Sequence, residues 1–286
     1  AIIPQKEQVF SERFRVGDHI KVLIVSIEKS LRGPKILVSR RRTELVKKLF
    51  ELEVPEIYEK VIEVKKVVRE PGIRSKVVVY SSNPKIDPIG SCVGVKGSRV
   101  KPIIDELRGE RIDLVLYSED IVKYITSAFS PAKILRVNLI DPEKKHAMVI
   151  VSDDMLSLAI GKRGTNVNLV GRITDWRIDV RSETQVKEMA QKQAVQSVEE
   201  LSKIKGVGEK IADTLFKAGW RSIEKLANAK TEELTSLQGI GEKKAEKIIN
   251  EAKKCLQTKE IKEKTREEKT VPEKAPEKNK KDAHEN

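Results

Sequence analysis

The sequence predicts a multidomain α+β protein that contains two internal repeats. One order of elements, strand, helix, glycine loop, helix and strand, occurs twice, and its two glycine loops lie 67 residues apart. A Gly-x-Gly motif between helical segments also occurs twice, 33 residues apart. Units that recur at a fixed offset indicate duplicated domains. We therefore expect a pair of α+β domains followed by a pair of helical hairpins, which suits a chain of 286 residues.

The N-terminal segment, residues 1–43, has the pattern of a short β-hairpin. Apolar and polar residues alternate over 14–27 around a Gly-Asp turn, and Gly33-Pro34 precedes a second predicted strand over 35–39. This hairpin is too short to bury a core of its own, since an isolated hairpin is only marginally stable in water.

The first predicted α+β domain covers residues 44–117. A connecting helix over 44–50 opens it, and a Glu-Pro-Gly turn separates its first two strands. A glycine loop at 94–97 then leads into apolar residues at helical spacing. The predicted strands cover 61–68, 76–80 and 112–117, and the helix after the loop covers 98–107.

The second predicted α+β domain, residues 118–182, repeats this order. Asp141-Pro142 separates its first two strands, and the second glycine loop lies at 161–164 between two helices. The predicted strands cover 134–140, 147–151 and 176–180, and the helices cover 155–160 and 165–173.

Both glycine loops have the Gly-x-x-Gly pattern of KH domains, which bind single-stranded RNA. A glycine leaves room for a sugar-phosphate backbone to approach, and the helix after the loop adds its positive end. A lone Gly-x-x-Gly is equally an ordinary turn between helices, but two in the same context favour tandem KH domains. Aromatic residues make up only 4% of the chain, which argues against a sheet that stacks bases. The candidate RNA contacts are Gly94, Val95, Lys96, Gly97, Gly161, Lys162, Arg163 and Gly164.

The C-terminal repeat predicts a tandem helix-hairpin-helix domain over residues 201–256, after a helical linker over 183–200. Its tight turns could present backbone N–H groups to a phosphate, or the unit could bind a protein. Alternatively, the glycines merely allow two helices to approach closely. Residues 257–286 have almost no apolar side chains, which predicts a disordered charged tail. The candidate phosphate or partner contacts are Gly206, Gly208, Lys210, Gly239, Gly241 and Lys243.

The composition favours a nucleic-acid partner and disfavours an enzyme. The net charge is +13, and residues 1–117 carry 24 Lys and Arg against 16 Asp and Glu. We expect no metal and no cofactor, because Cys92 and Cys255 lie far apart and the three histidines lie in different segments. Neither glycine loop has the spacing of a P-loop. No apolar run approaches the ~20 residues of a membrane span and no signal peptide is visible, which predicts a cytoplasmic protein, expected to be a monomer.

Several segments resemble the NusA family of bacterial transcription factors. They are PIGSCVGVKG (88–97), LSLAIGKRG (156–164), REPGIRSKV (69–77), LRVNLI (135–140) and WRID (176–179). The resemblance covers roughly residues 1–182. It implies a partial OB-type barrel of the ribosomal S-one type over 1–43, followed by two type II KH domains.

The resemblance also implies a function and further site residues. The family binds nascent RNA near RNA polymerase, acts with other elongation and antitermination factors, and modulates pausing, termination and antitermination. The residues that it adds to the RNA contacts are Ser98, Arg99, Thr165 and Asn166.

Two departures from the family pattern lead to further expectations. The family's N-terminal helical domain and the first strands of the barrel are absent, so we expect Ala1 to fall inside a longer protein. Thr165 and Asn168 stand where the family often has Gln and Arg, which we expect to weaken the hold on phosphate.

Two other functions remain compatible with the sequence. The chain could be the RNA-capturing module of an exoribonuclease. It could also bind duplex DNA through the helix-hairpin-helix pair, and a preference for duplex DNA over single-stranded RNA would favour that alternative.

Overall fold

The computed structural model describes residues 1–29, 33–237 and 239–268. The chain divides into two units, Ala1–Val186 and a helical unit that begins at Lys187. The first unit contains the N-terminal segment and both α+β domains.

The N-terminal segment forms a small antiparallel sheet. Its strands are β1 (Leu23–Glu28) and β2 (Lys35–Ser39), and Ile2 adds one parallel bridge to Leu37. The predicted strand over 14–27 is therefore wrong over 14–22. The predicted Gly-Asp turn is confirmed, since Gly17 has φ +97° and the Arg15 N–H donates to the Asp18 carboxylate at 3.0 Å. The described strands do not close a barrel, and the partial OB fold stays a prediction.

The first α+β domain has a three-stranded sheet with helices on one face. The central strand β4 is antiparallel to β3 and parallel to β5. Buried apolar side chains of the first helix, including Leu49 and Phe50, pack with Val77 and Val79 of the central strand. The elements are α1 (Thr43–Glu53), α2 (Pro55–Tyr58), β3 (Glu63–Glu70), β4 (Arg74–Tyr80), α3 (Pro88–Val93), α4 (Val100–Glu106) and β5 (Arg111–Leu116).

The second α+β domain repeats that topology, which confirms the predicted duplication. Its central strand β7 is antiparallel to β6 and parallel to β8. The elements are α5 (Ile121–Ala128), β6 (Ile134–Asp141), β7 (His146–Val151), α6 (Leu156–Ile160), α7 (Thr165–Thr174) and β8 (Arg177–Ser182).

The two α+β domains share one hydrophobic core. Val68, Val78 and Val115 project from the first sheet into the cluster that also contains Phe129 and Ile173 of the second domain. Two polar contacts join the domains beside this core: Lys76 Nζ donates to the Ser130 carbonyl at 3.3 Å, and Lys66 pairs with Asp175 at 2.7 Å. Within the second domain, Tyr124 Oη donates to the Ile173 carbonyl at 3.2 Å. The two glycine loops are consequently held on a common framework.

A buried charge network joins the N-terminal segment to the first α+β domain. The Arg40 side chain is fully buried and donates to Glu12 at 2.6 Å and to Glu106 at 2.5 Å. Arg69 pairs with buried Glu110 at 2.8 Å and also donates to the Arg40 carbonyl at 2.8 Å. Buried charges persist only when they are paired in this way, so the network fixes where the two parts meet.

The helical unit encloses a core of its own, which includes Leu215, Leu226 and Ile248. Its last helix continues to Glu268, so the predicted disorder is wrong over 257–268. That stretch is rich in Lys and Glu, which favour helix, and contains no Pro or Gly. The rest of the predicted tail, 269–286, lies outside the described residues. The helices are α8 (Glu183–Ser202), α9 (Glu209–Lys217), α10 (Ile223–Ala227), α11 (Thr231–Thr235) and α12 (Glu242–Glu268).

Candidate nucleic-acid interface

The two glycine loops have the same backbone conformation. Gly94 and Gly161 have φ/ψ of 73°/170° and 76°/165°. Two residues later, Lys96 and Arg163 have 53°/29° and 56°/28°, which is the left-handed region. The duplicated sequence motif is therefore a duplicated three-dimensional loop.

The first glycine of each loop is required by the loop itself. Its combination of positive φ with ψ near 170° is essentially restricted to glycine. A Cβ on Gly161 would also lie 2.8 Å from the backbone nitrogen of Asn166, and one on Gly94 would lie 2.7 Å from Ser98 Oγ. These glycines let the chain fold back on the helix that follows.

At the second glycine of each loop, the described residues leave room for a side chain. A Cβ on Gly97 or Gly164 would have no neighbour closer than 3.9 Å and 3.6 Å respectively. Both have positive φ, of 80° and 73°, which alone favours glycine only moderately. Packing thus restricts the first glycine and not the second, and the sequence pattern alone did not separate the two positions.

The residues between the glycines are exposed. Val95 is 82% exposed, and Lys96, Lys162 and Arg163 are also on the surface. Among the described residues, none of these three cations forms an ion pair. Each can therefore release a counterion when a phosphate binds.

The residues that follow the loops mostly support them. Thr165 Oγ1 donates to the Lys162 carbonyl at 2.6 Å, and buried Asn166 donates from Nδ2 to the Ala159 carbonyl at 2.9 Å. The side chain of Asn166 therefore holds the second loop to the end of α6. Ser98 is exposed beside the first loop.

Arg99 is already engaged within the protein. Its Nη1 donates to both carboxylate oxygens of Glu56 at 2.9 Å and to the Ser91 carbonyl at 2.6 Å. Burial would raise the pKa of the Glu56 carboxyl, but hydrogen bonds from its own backbone N–H and from Arg99 outweigh this, and the pKa lies below its usual value. Sequence reasoning missed Glu56, because its partner is 43 residues away.

Cys92 lies beneath the first loop and is fully buried, in agreement with a core role and not a reactive one. Burial raises the pKa of its thiol to about 12. Within the described parts of the chain, no group of three His, Cys, Asp or Glu side chains converges to hold a metal ion.

The two Gly-x-Gly turns of the helical unit are also duplicates. The carbonyl of Gly208 accepts from the N–H groups of Ile211 and Ala212 at 2.9 Å, and Gly241 accepts in the same way from Lys244 and Ala245. Gly206 and Gly239 have φ +94° and +90°, which favours glycine there.

Close helix packing does not explain these glycines. Among the described residues, a Cβ at any of the four positions, Gly206, Gly208, Gly239 or Gly241, would have no atom within 4 Å apart from its chain neighbours. The interpretation that they allow helices to approach is therefore wrong. Lys210 and Lys243 are exposed one residue into the helices that follow. No described helix is long and apolar enough to cross a membrane.

Comparison with protein families assigns both α+β domains and the helical unit. The NusA-like first KH domain matches residues 40–117, and the NusA-like second KH domain matches 121–188. A SAM-like helix-hairpin-helix tandem matches 198–254.

Curated relatives share these regions. The chain is 50% identical over 189 residues to the transcription termination/antitermination protein NusA of Halalkalibacterium halodurans, covering 66% of this chain and 49% of that protein. The NusA protein of Bacillus subtilis is 49% identical over 189 residues, covering 66% of this chain and 51% of that protein. The NusA protein of Rickettsia prowazekii is 38% identical over 233 residues, covering 80% of this chain and 46% of that protein. The chain thus spans about half the length of these relatives.

Proposed function

Because the chain belongs to the NusA family, we propose that its two KH domains bind single-stranded nascent RNA and that the protein acts in transcription termination and antitermination. The relatives are named for that process, which favours it over the RNA-capturing module of an exoribonuclease. RNA polymerase and other elongation or antitermination factors are the partners in this proposal. It places a monomeric, non-enzymatic factor in the cytoplasm, with a partial OB-type fold over 1–43.

One observation carries the RNA-binding part of the proposal. Two loops with the same backbone conformation present unpaired cations, and a shared hydrophobic core fixes their relative positions. When the loops keep a constant separation, phosphate groups along a single strand can meet both loops without first ordering them. A common core supplies that condition without any ordering cost on binding.

The proposed RNA contacts are the residues of the two loops and those directly after them. Backbone clearance comes from the glycines, charge comes from the three free cations, and the exposed apolar side chain of Val95 can contact a sugar or base. The full set is Gly94, Val95, Lys96, Gly97, Ser98, Arg99, Gly161, Lys162, Arg163, Gly164, Thr165 and Asn166.

The test removes the loop cations and leaves the loop backbone intact. Lys96 and Arg163 are replaced by Asn, which tolerates the left-handed region, and Lys162 is replaced by Gln. We expect the slope of log affinity against log salt for single-stranded RNA to become less negative by about 2, because about 0.7 counterions are released per phosphate contact on a single strand.

A matched control changes the same charge elsewhere in the same unit. Lys145, which also has positive φ (51°), is replaced by Asn, and exposed Lys123 and Lys144 are replaced by Gln. This variant should keep nearly the wild-type salt dependence. Equal losses in both triple variants would mean that the loops are structural turns and that RNA binds through diffuse charge.

The helix-hairpin-helix domain gives a second candidate function, contact with a phosphate backbone of nucleic acid. The open space over all four turn glycines favours it, since neither packing nor, at Gly208, backbone conformation requires glycine. The proposed contacts are Gly206, Gly208, Lys210, Gly239, Gly241 and Lys243.

Competition between duplex DNA and single-stranded RNA tests this second function. Replacing Lys210 and Lys243 by Gln should weaken duplex binding and leave RNA binding by the KH loops unchanged. If neither nucleic acid is affected, the turns serve a protein partner or no partner.

A further inference from the structure

The ion pair between Glu56 and Arg99 distinguishes the first glycine loop from the second. Arg99 directly precedes helix α4, and Glu56 lies in the short helix α2, so two separate elements meet beside the loop. The two side chains retain exposures of 33% and 28%, so solvent reaches the pair. A solvent-accessible pair of this kind is weak and can be exchanged for another anion.

The equivalent position in the second loop carries no charge. Asn166 stands there, buried, with Nδ2 bonded to the Ala159 carbonyl. The cations of the second loop have no carboxylate partner among the described residues. The first loop therefore has one free cation and one neutralised cation, whereas the second has two free cations.

Loop geometry at the first site does not depend on Glu56. Arg99 also donates from Nη1 to the Ser91 carbonyl at 2.6 Å and from its backbone N–H to the Val93 carbonyl at 3.2 Å, so the start of α4 is joined to α3 without the carboxylate. The carboxylate instead occupies a guanidinium that lies directly after the first glycine loop. Guanidinium groups bind carboxylate and phosphate with the same donors, so a phosphate at this loop would compete with Glu56 for Arg99.

We propose that Glu56 limits RNA affinity at the first KH loop by competing with an RNA phosphate for Arg99. This inference rests on the proposed RNA-binding function. It makes Glu56 an affinity-setting residue that need not touch RNA itself. In the bound state Arg99 exchanges the carboxylate for a phosphate and keeps its bond to Ser91.

The test measures whether the full chain binds RNA more tightly when Glu56 loses its charge. Glu56→Gln keeps the size and a hydrogen-bond acceptor and removes the charge. We expect single-stranded RNA to bind about two- to fivefold more tightly, the range set by the strength of an exposed ion pair. The salt slope should change little, because Arg99 contacts the same phosphate in the bound state of both proteins. Glu56→Ala should give the same direction, and thermal melting shows whether either variant stays folded.

Glu59→Gln is the matched control. It removes one negative charge from an exposed side chain that lies three residues after Glu56. We expect no more than a small general electrostatic effect from it. In an Arg99→Gln background, Glu56→Gln should no longer tighten binding, which a purely structural role would not predict.

The outcomes separate this inference from the function on which it rests. If the loop-cation variant loses RNA but folded Glu56→Gln binds like the wild type, or Glu59→Gln tightens binding equally, competition at Arg99 is refuted and RNA binding stands. If the loop-cation variant binds RNA like the wild type, the proposed function fails, and this inference fails with it.

Discussion

Replacing Gly161 by Ala should destabilise the KH unit far more than replacing Gly164, although both belong to one motif. At Gly161 the backbone conformation alone costs any other residue about 1–3 kcal/mol. The added Cβ would also lie 2.8 Å from a helical backbone nitrogen, which cannot move without shifting α7. Forced shifts of this kind cost about 1–3 kcal/mol more, so we expect a loss of about 2–6 kcal/mol.

Gly164→Ala is the matched comparison. The left-handed region costs alanine about 1–2 kcal/mol. Part of this cost is recovered, because alanine has less conformational freedom than glycine in the unfolded chain and so loses less on folding. The nearest atom to the new Cβ would be 3.6 Å away, so no clash adds to the loss. We expect at most about 1 kcal/mol in the free energy of unfolding, but weaker RNA binding, because the new methyl group projects into the open space above the loop.

Tryptophan fluorescence during urea unfolding can measure both changes. The chain has two Trp residues, and Trp176 packs against the KH core whereas Trp220 packs in the helical unit. A Trp220→Phe background therefore reports the KH unit alone. Equal losses of stability in Gly161→Ala and Gly164→Ala would refute the separation of the two glycines into a structural and a clearance role.

Three further predictions concern other parts of the molecule. Arg40→Met should lower the free energy of unfolding by about 3–5 kcal/mol, because two partner carboxylates lose their buried cation; a loss below about 1 kcal/mol in urea unfolding would contradict this. At pH 8, native Cys92 should resist alkylation because the pKa of its thiol is about 12, whereas half-buried Cys255 should react. Mass spectrometry of the labelled peptides measures both reactions, and faster labelling of Cys92 would contradict this prediction. Gly208→Ser together with Gly241→Ser should leave thermal stability unchanged or slightly higher, because serine is the better N-cap and no atom opposes its Cβ; a clear drop in Tm would show hidden packing.

Much of the fold could be predicted from local signals in the sequence. The glycine loops, their flanking helices and the repeat offset follow from residue types whose conformational preferences are strong. The antiparallel pair with 35–39 and the Gly-Asp turn were predicted correctly, but the strand over 14–22 was not, because the Lys21 N–H donates to the Glu106 carboxylate at 3.0 Å instead of to another strand. The helix over 257–268 was missed because low apolar content was taken to exclude secondary structure, although Lys and Glu are good helix formers.

The long-range parts of the site could not be predicted in the same way. Nothing local connects Glu56 with Arg99, which are 43 residues apart. The burial of both faces of β4 did leave a signal, the uninterrupted run Val77, Val78 and Val79, because alternate residues of that strand face two different cores. The sequence does not reveal that the second core belongs to the neighbouring KH domain.

The shared core between the KH domains determines how the second loop meets a strand already held by the first. Because no flexible linker intervenes, the effective concentration of the second loop around that strand depends on the fixed geometry and not on chain entropy. An RNA whose phosphates match the separation of the two glycine loops gains both contacts for one loss of translational freedom. An RNA whose backbone is held rigidly at another spacing, as in a hairpin stem, gains only one. Under the proposed function, the molecule would therefore discriminate by the extension of the strand, in addition to any preference for its bases.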